Sequence, residues 1–496
     1  MDLQMIETGM LSIIPPLLAI ILALTTKEVY SSLFLGVLSG TVIYCICGGG
    51  SFVQSVQYIF DMMATKIGDN AYMVVFLALL WAVIEIVNRS GGTKAYGKFV
   101  GTKLKNPVAV KLATAFLGVL IFIDDGFNCL TVGTVMRPIA DKHKIAREKL
   151  AYIVDSTAAP VCIIAPVSSW AVAVASQFDE THGFNTFLKT IPYNLYAILT
   201  LIMVFFVCAT NFDFGPMKKA CEKALSNSTE KIDDTNNNKG TVLDLVLPIV
   251  VLIVTAILGM AFVGGFFSGV PFSAAIGENP VAGLVLGTFA GLITALIMYL
   301  PRKIMSFNEF ISTIVNGIKN VVPPIIILIF SWALSGVCRD LIGTGVFISG
   351  VVNSAQGVLR LLPLVVFLVS AVMSFSMGSS WGTFGMLIPI VIMICSGAHE
   401  EVLLIPALSA TLAGSVFGDH CSPISDTTIL SSTGAQCEHI SHVSTQIPYA
   451  LLVAVVCAVG YLFSGLLLNP WIPLVISIAL LFICFAVIKT LQKKTA

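Results

Sequence analysis

Apolar residues in this chain run in long blocks, and the polar positions between them are short and clustered. Blocks long enough to cross hydrocarbon, about 17–25 residues, fall near 10–26, 30–48, 71–88, 107–123, 150–178 and 185–209. After a polar gap they resume near 242–264, 279–299, 321–338, 358–377, 401–417, 445–466 and 471–489. Each is predicted to be helical, because lipid offers no partner to a free backbone amide or carbonyl and tolerates no open sheet edge. Two further apolar stretches, 124–138 and 378–397, are interrupted by Gly, Pro, Ser and Asp. They read as broken or re-entrant segments, since a proline removes an amide donor and opens the helix. Residues 54–69 and 305–319 are amphipathic and are expected along the interface.

Composition narrows the class. Of 496 residues, 57% are hydrophobic and 11% charged, against about a quarter charged in soluble domains. A mean hydropathy of +0.95 leaves too little polar surface to cover a water-soluble globule. The fold expected is an all-α polytopic membrane protein. Lys+Arg 27 balances Asp+Glu 27, so no basic stripe exists to bind nucleic acid. The 12 cysteines form no CxxC pair and read as small buried thiols. Asp2 and Glu7 stand where a signal peptide carries positive charge, so the first apolar block is expected to remain as an anchor.

The chain repeats itself weakly. Leu35-Gly36 and Gly40 match Leu286-Gly287 and Gly291, and Trp81-Ala82 matches Trp332-Ala333, all at an offset of 251. Pro166-Val-Ser matches Pro423-Ile-Ser at 257, and Ile191-Pro192-Tyr193 matches Ile447-Pro448-Tyr449 at 256. Two repeats are therefore expected at 1–210 and 241–466, joined by a polar linker at 211–240 and followed by an extra helix and tail at 467–496. Basic residues cluster at Arg89, Lys94, Lys98, Lys103 and Lys105, from Arg137 to Lys149, in the linker, at Arg302-Lys303 and at the C-terminus. Placing all of them in the cytoplasm satisfies the positive-inside rule. The first half then starts outside and the second inside, the inverted-repeat plan of secondary transporters. The glycine pairs are read as close helix packing.

A charge in hydrocarbon is costly, so an intramembrane acid is a functional candidate by default. Two stretches concentrate such groups. One carries Asp124, Asp125, Asn128 and Thr131, then Asp155-Ser156-Thr157 ahead of Pro160 and Pro166-Val-Ser168-Ser169-Trp170. The other is Gly418-Asp419-His420-Cys421-Ser422-Pro423, followed by Ser425-Asp426-Thr427-Thr428. Carboxylates, hydroxyls and freed carbonyls make an oxygen set suited to a hard cation such as Na⁺, with Asp155, Asp419 and Asp426 as its charged ligands. Half-helix N-termini beside Pro160, Pro166 and Pro423 would equally face an anionic substrate group. A buried carboxylate that holds either Na⁺ or H⁺, but not both, exchanges them by competition alone, and His420 is placed to tune or relay the proton. Plainer roles stand beside these. Asp124, Asp125 and Asp155 could each cap a helix, His420 could be a satisfied hydrogen-bonding group, Glu85 could pair with Arg89, and Asp244 reads as interfacial. No HExxH, GxSxG or P-loop is present, so no enzyme is expected.

Residues 417–451, FGDHCSPISDTTILSSTGAQCEHISHVSTQIPYAL, resemble the signature of the NhaC-type Na⁺/H⁺ antiporters. Residues 135–170 and the N-terminal PPLLAIILALTTKEVYSSLFLG are also similar to that family. The resemblance implies sodium–proton exchange at a bacterial plasma membrane, with the linker and C-terminus cytoplasmic. It points to Asp155, Ser156, Thr157, Asp419, Ser422, Ser425, Asp426 and Thr427 as site positions. It also implies a dimer, and it leaves open exchange of malate for lactate or carriage of amino acids. The expected partners are lipid, Na⁺ and H⁺, or such a small organic solute in the alternative reading, with no organic cofactor. A carrier of an organic acid would need a larger pocket, with Trp170, Trp381 and Asn128 as its lining. A channel is the third reading.

Overall fold

A computed structural model describes residues 4–26, 28–93, 95–96, 104, 106–178, 183–226, 240–272, 275, 280–344, 346–347, 359–397 and 401–495. Among these residues there are helices and no strands. The first half contains α1 (Ile14–Thr26), α2 (Val29–Gly48), α3 (Phe52–Asp69), α4 (Ala71–Arg89) and α5 (Pro107–Leu120). It continues with α6 (Asp125–Lys142), α7 (Arg147–Ser156), the single turn α8 (Ala159–Cys162), α9 (Ser169–Ala175), α10 (Gly183–Thr190) and α11 (Leu195–Thr210). After α12 (Gly215–Ser226) come α13 (Val242–Val263), α14 (Pro280–Tyr299) and α15 (Phe307–Gly336). The chain then forms α16 (Leu362–Met377), α17 (Ser380–Gly397), α18 (Glu401–Cys421), α19 (Asp426–Ala435), α20 (His439–Leu467) and α21 (Trp471–Thr495).

Among the described residues, nine helices are long and apolar enough to cross a membrane, and four shorter ones are also apolar. Their outer faces are greasy: Trp471, Val475, Ile483 and Val487 of α21 are each more than half exposed, which suits lipid and not water. This is a multi-pass membrane protein.

Several boundaries differ from expectation, each for a local reason. The block 150–178 is not one span. Pro160, the Pro166 turn and the Ser168 cap divide it into α7, α8 and α9. The amphipathic piece at 305–319 does not lie apart from the span at 321–338. Ser306 and Glu309 form a capping box, and α15 runs unbroken through Pro323 and Pro324. The 378–397 stretch is a full helix, α17, after Gly378 turns the chain with φ 66°. The expected linker is ordered and packed in its first part. Asp213 accepts hydrogen bonds from Lys149 and from the Tyr449 hydroxyl (3.0 Å), Phe214 stacks on Tyr449 with ring centroids 4.2 Å apart, and α12 follows. Its remainder, with Lys231, Lys239 and Asn236-Asn237-Asn238, lies outside the described residues, as do Lys94, Lys98, Lys103 and Lys105. Asp244 is buried, capping α13 and paired with Arg302. Glu85 and Arg89 form no ion pair with each other.

Helices matched by the sequence offset pack reciprocally. α2 lies on α15, with Phe34 and Phe330 ring centroids 5.9 Å apart, and its counterpart α14 lies on α4, the counterpart of α15. Gly36 sits 3.0 Å (as a built Cβ) from Ala19, and Gly287 sits 2.6 Å from Ala256, so the small residues do serve close packing. Between the halves, α6 crosses α19 where Gly133 and Gly434 meet; a Cβ on Gly133 would come within 2.9 Å of the Gly434 backbone. That contact leaves the broken segments of both halves facing one another.

Candidate functional site

The interrupted helices create the site. At three of the openings a side chain caps the next helix, because the first amides of a helix have no partner within it. Asp124 Oδ1 accepts from the Phe127 amide (3.0 Å) at the start of α6. Ser168 Oγ accepts from the Ala171 amide (3.0 Å) at α9, and Ser425, its counterpart by the offset, accepts from the Thr428 amide (3.5 Å) at α19. Asn128 Nδ2 donates to the carbonyls of Gly118 (2.6 Å), Ile121 (2.9 Å) and Thr157 (3.0 Å). It thus ties the end of α5 to the turn that follows Asp155. Its Oδ1 is buried with no hydrogen-bond partner.

Asp155, at the end of α7, is 1% exposed. Its Oδ2 accepts from Gln446 Nε2 (2.6 Å) and lies 3.3 Å from His442 Nε2, 3.5 Å from Thr428 Oγ1 and 3.9 Å from His420 Nε2. His420 is held by both ring nitrogens, Nδ1 at 2.8 Å from the Tyr196 hydroxyl and Nε2 at 3.0 Å from Ser156 Oγ. His442 Nε2 also meets Ser431 Oγ at 3.0 Å, and the Ser431 hydroxyl donates to the Thr428 carbonyl (3.1 Å). The Ser431 oxygen is therefore free to accept, which places the His442 proton on Nε2 and leaves its buried Nδ1 without a partner. Gln446 Nε2 makes a second bond to the His420 carbonyl (2.5 Å), and its Oε1 is a second buried, unpartnered oxygen.

Asp419, 4% exposed, adjoins this cluster through Thr428, whose Oγ1 is 3.5 Å from the Asp419 carbonyl as well as from Asp155. Its own carboxylate accepts from Ser380 Oγ (2.9 Å) at the start of α17. Asp124 Oδ2 accepts from Ser169 Oγ (3.2 Å), and Asp125 is buried beside it in the first turn of α6. Among the described residues, no lysine or arginine pairs with Asp124, Asp125, Asp155 or Asp419. The buried charges are met by neutral dipoles and imidazoles.

The candidates therefore divide. Asp155, Ser156, Asp419 and His420 converge, with Asn128 and Thr157 bracing the turn beside them. Thr157 Oγ1 turns back to the Ile153 carbonyl (2.8 Å). Asp124 and Asp125 sit at the neighbouring helix start. Ser422 donates to the Phe375 carbonyl (2.8 Å), and Ser425 and Thr427 contact each other (3.0 Å), so these hydroxyls hold the 422–428 turn. Asp426 stands apart. It is the first residue of α19, Ser425 already caps that helix, and the Asp426 side chain points outward and is exposed. Its exposure sets it apart from the buried Asp155 and Asp419. Among the described residues, no three His, Cys, Asp or Glu side chains converge as a metal cluster. Trp170 is fully buried against Trp381 and Phe384, with ring centroids 5.9 and 5.6 Å away. Sequence reasoning missed Gln446, His442, Tyr196 and Ser380. His442 and Gln446 are four apart on α20, one helical face, and that spacing was the available signal.

Comparison with known proteins agrees with this architecture. Residues 171–466 match the Na⁺/H⁺ antiporter family. An uncharacterised protein of Haemophilus influenzae is 38% identical, over 94% of this chain and 92% of its own length. The malate-2H⁺/Na⁺-lactate antiporter of Bacillus subtilis is 26% identical over 37% of this chain and 43% of its own. Among solved structures, the YdaH transporter of Alcanivorax borkumensis shares the fold with a TM-score of 0.53 at 13% identity, over 83% of this chain and 89% of that one. A membrane-spanning helical chain that matches this family over more than half its length belongs to the Na⁺/H⁺ antiporter family of secondary transporters.

Proposed function

We propose that the protein exchanges Na⁺ for H⁺, the two competing for the carboxylate of Asp155, with Asp419 as a second cation-facing acid. The observation that carries this is a carboxylate 1% exposed, with no lysine or arginine partner among the described residues, ringed by Gln446, His442 and Thr428. Removing an ion from water costs several kcal/mol, and each hydrogen bond to a charged group returns about 1.5–3 kcal/mol. Two such bonds nearly balance the penalty. A group so poised is responsive to either a proton or a cation, and cannot favourably hold both.

Gln446 is the piece that distinguishes the two occupants. With Nε2 toward Asp155 it serves the bare carboxylate, whereas a turn of the amide would present Oε1, now unpartnered, to a cation. His442 and His420 offer the proton a route through Ser431, Ser156 and Tyr196. The reciprocal packing of offset-matched helices and the paired Ser168 and Ser425 caps support an inverted-repeat arrangement with the site at its centre. We place the protein in a bacterial plasma membrane with the 211–240 segment and the C-terminus cytoplasmic, as the clustered lysines favour.

The test is reconstitution into liposomes carrying a pH gradient. Na⁺ alone should dissipate it, and Asp155→Asn should not respond. A response only to malate, lactate or an amino acid would replace this reading with an organic-substrate exchanger, the activity named for the Bacillus subtilis relative. Conductive flux without uphill coupling would indicate a channel.

A further inference from the structure

Away from the carboxylates, a cavity of about 960 Å³ opens where the ends of α5, α11 and α21 meet α12 and the turn before α7. That is the upper range for a small-molecule site, about 300–1,000 Å³. Five lysines line it: Lys111, Lys144, Lys149, Lys218 and Lys489. One of them, Lys149, has its carboxylate in Asp213. Lys111 is buried and donates to the neutral oxygen of Asn211, while Lys144, Lys218 and Lys489 make no ion pair among the described residues. Glu222 is the other acid on the wall. Among the described lining residues, five lysines face two acids.

The remaining wall is aromatic. Phe206 stacks on Phe485 with ring centroids 4.2 Å apart, and Phe212 and Phe482 pack around them. Phe482 and Leu225 are exposed. A free inorganic anion would use the lysines and leave this surface bare. A molecule with an anionic head and a hydrocarbon tail would cover both.

We infer that this cavity binds an anionic phospholipid, its phosphate among Lys111, Lys144, Lys218 and Lys489 and the start of an acyl chain against Phe206, Phe212 and Phe482. Basic recesses at helix ends beside the bilayer surface suit such headgroups. Occupancy also bears on the transport helices. Lys149 lies six residues before Asp155 on α7, and Asp213, its partner, is also bound by Tyr449 on the helix that carries Gln446. A headgroup beside Lys149 therefore stiffens the joint between α7, α12 and α20.

The experiment uses the full-length protein in a neutral detergent and follows its Tm and its bound lipid by native mass spectrometry. Phosphatidylglycerol, phosphatidylcholine and sodium phosphate are added separately. Phosphatidylglycerol alone should raise Tm and remain bound. The Lys218→Gln/Lys489→Gln variant, which removes two exposed lysines, should weaken that binding about 30-fold, the ratio for two lysine–headgroup contacts, with its lipid-free Tm unchanged. Equal effects of phosphatidylcholine, equal effects of sodium phosphate, or full retention by the variant would each overturn the inference. None of these readouts depends on which ion is transported.

Discussion

Asp155 and Asp419 occupy similar places in the chain, each near the end of a helix that stops at a proline-containing turn, yet their surroundings differ in kind. Asp155 is met by an amide and an imidazole from α20, with a second imidazole behind. Asp419 is met by a hydroxyl, that of Ser380. Amide and imidazole donors stabilise negative charge more firmly than a rotatable hydroxyl, and imidazole can also carry a proton. On the proposed exchange, the imidazoles put a proton path beside Asp155, whereas Asp419 offers a cation oxygen ligands alone. Thr428, 3.5 Å from both the Asp155 carboxylate and the Asp419 carbonyl, is where the two environments join.

The comparison can be broken most forcefully at Asp155 itself. Asp155→Asn keeps the shape and removes the charge, and is expected to lower Na⁺-coupled proton flux by about 100-fold or more, read in liposomes with unchanged size-exclusion behaviour. Asp419→Asn should act on cation affinity, raising the half-saturating Na⁺ concentration by about tenfold while proton release persists. Equal and complete losses in both variants would erase the distinction. Gln446→Leu sharpens it. Withdrawing a donor from the carboxylate favours the proton over the cation, so the pH midpoint of exchange should move upward by about one unit. A downward move would contradict the assigned role. The smallest effect belongs to Asp426→Asn, which should leave exchange within about twofold, because that side chain is exposed.

The burial of Asp155, Asp419 and His420 was legible in the sequence for a simple reason: polar groups inside apolar blocks stand out from their neighbours. Asp426 carried the same signal, and the structure leaves it exposed. Its position as the first residue of α19, after a serine that already caps the helix, turns it outward, and that direction depends on a helix start that composition does not fix. Gln446 and His442 were less visible because α20 begins as a polar helix at its terminus, where such residues are ordinary. Only the packing of α20 against α7 converts them into ligands of Asp155. Tyr196 and Ser380 are hydroxyls within spans, indistinguishable by sequence from many others that bond to their own helix. The fold class followed from block length, whereas the division of 150–178 and the docking of Asp213 on Lys149 and Tyr449 required the third dimension.

The central claim is competition at one buried carboxylate, and Na⁺ binding measured calorimetrically across pH tests it most directly. Below the midpoint, the apparent Kd for Na⁺ should rise about tenfold for each unit of falling pH, with one proton released per Na⁺ bound, and Asp155→Asn should show no such linkage. A Kd in the wild-type protein that is indifferent to pH, or a linkage that survives in Asp155→Asn, would contradict the account.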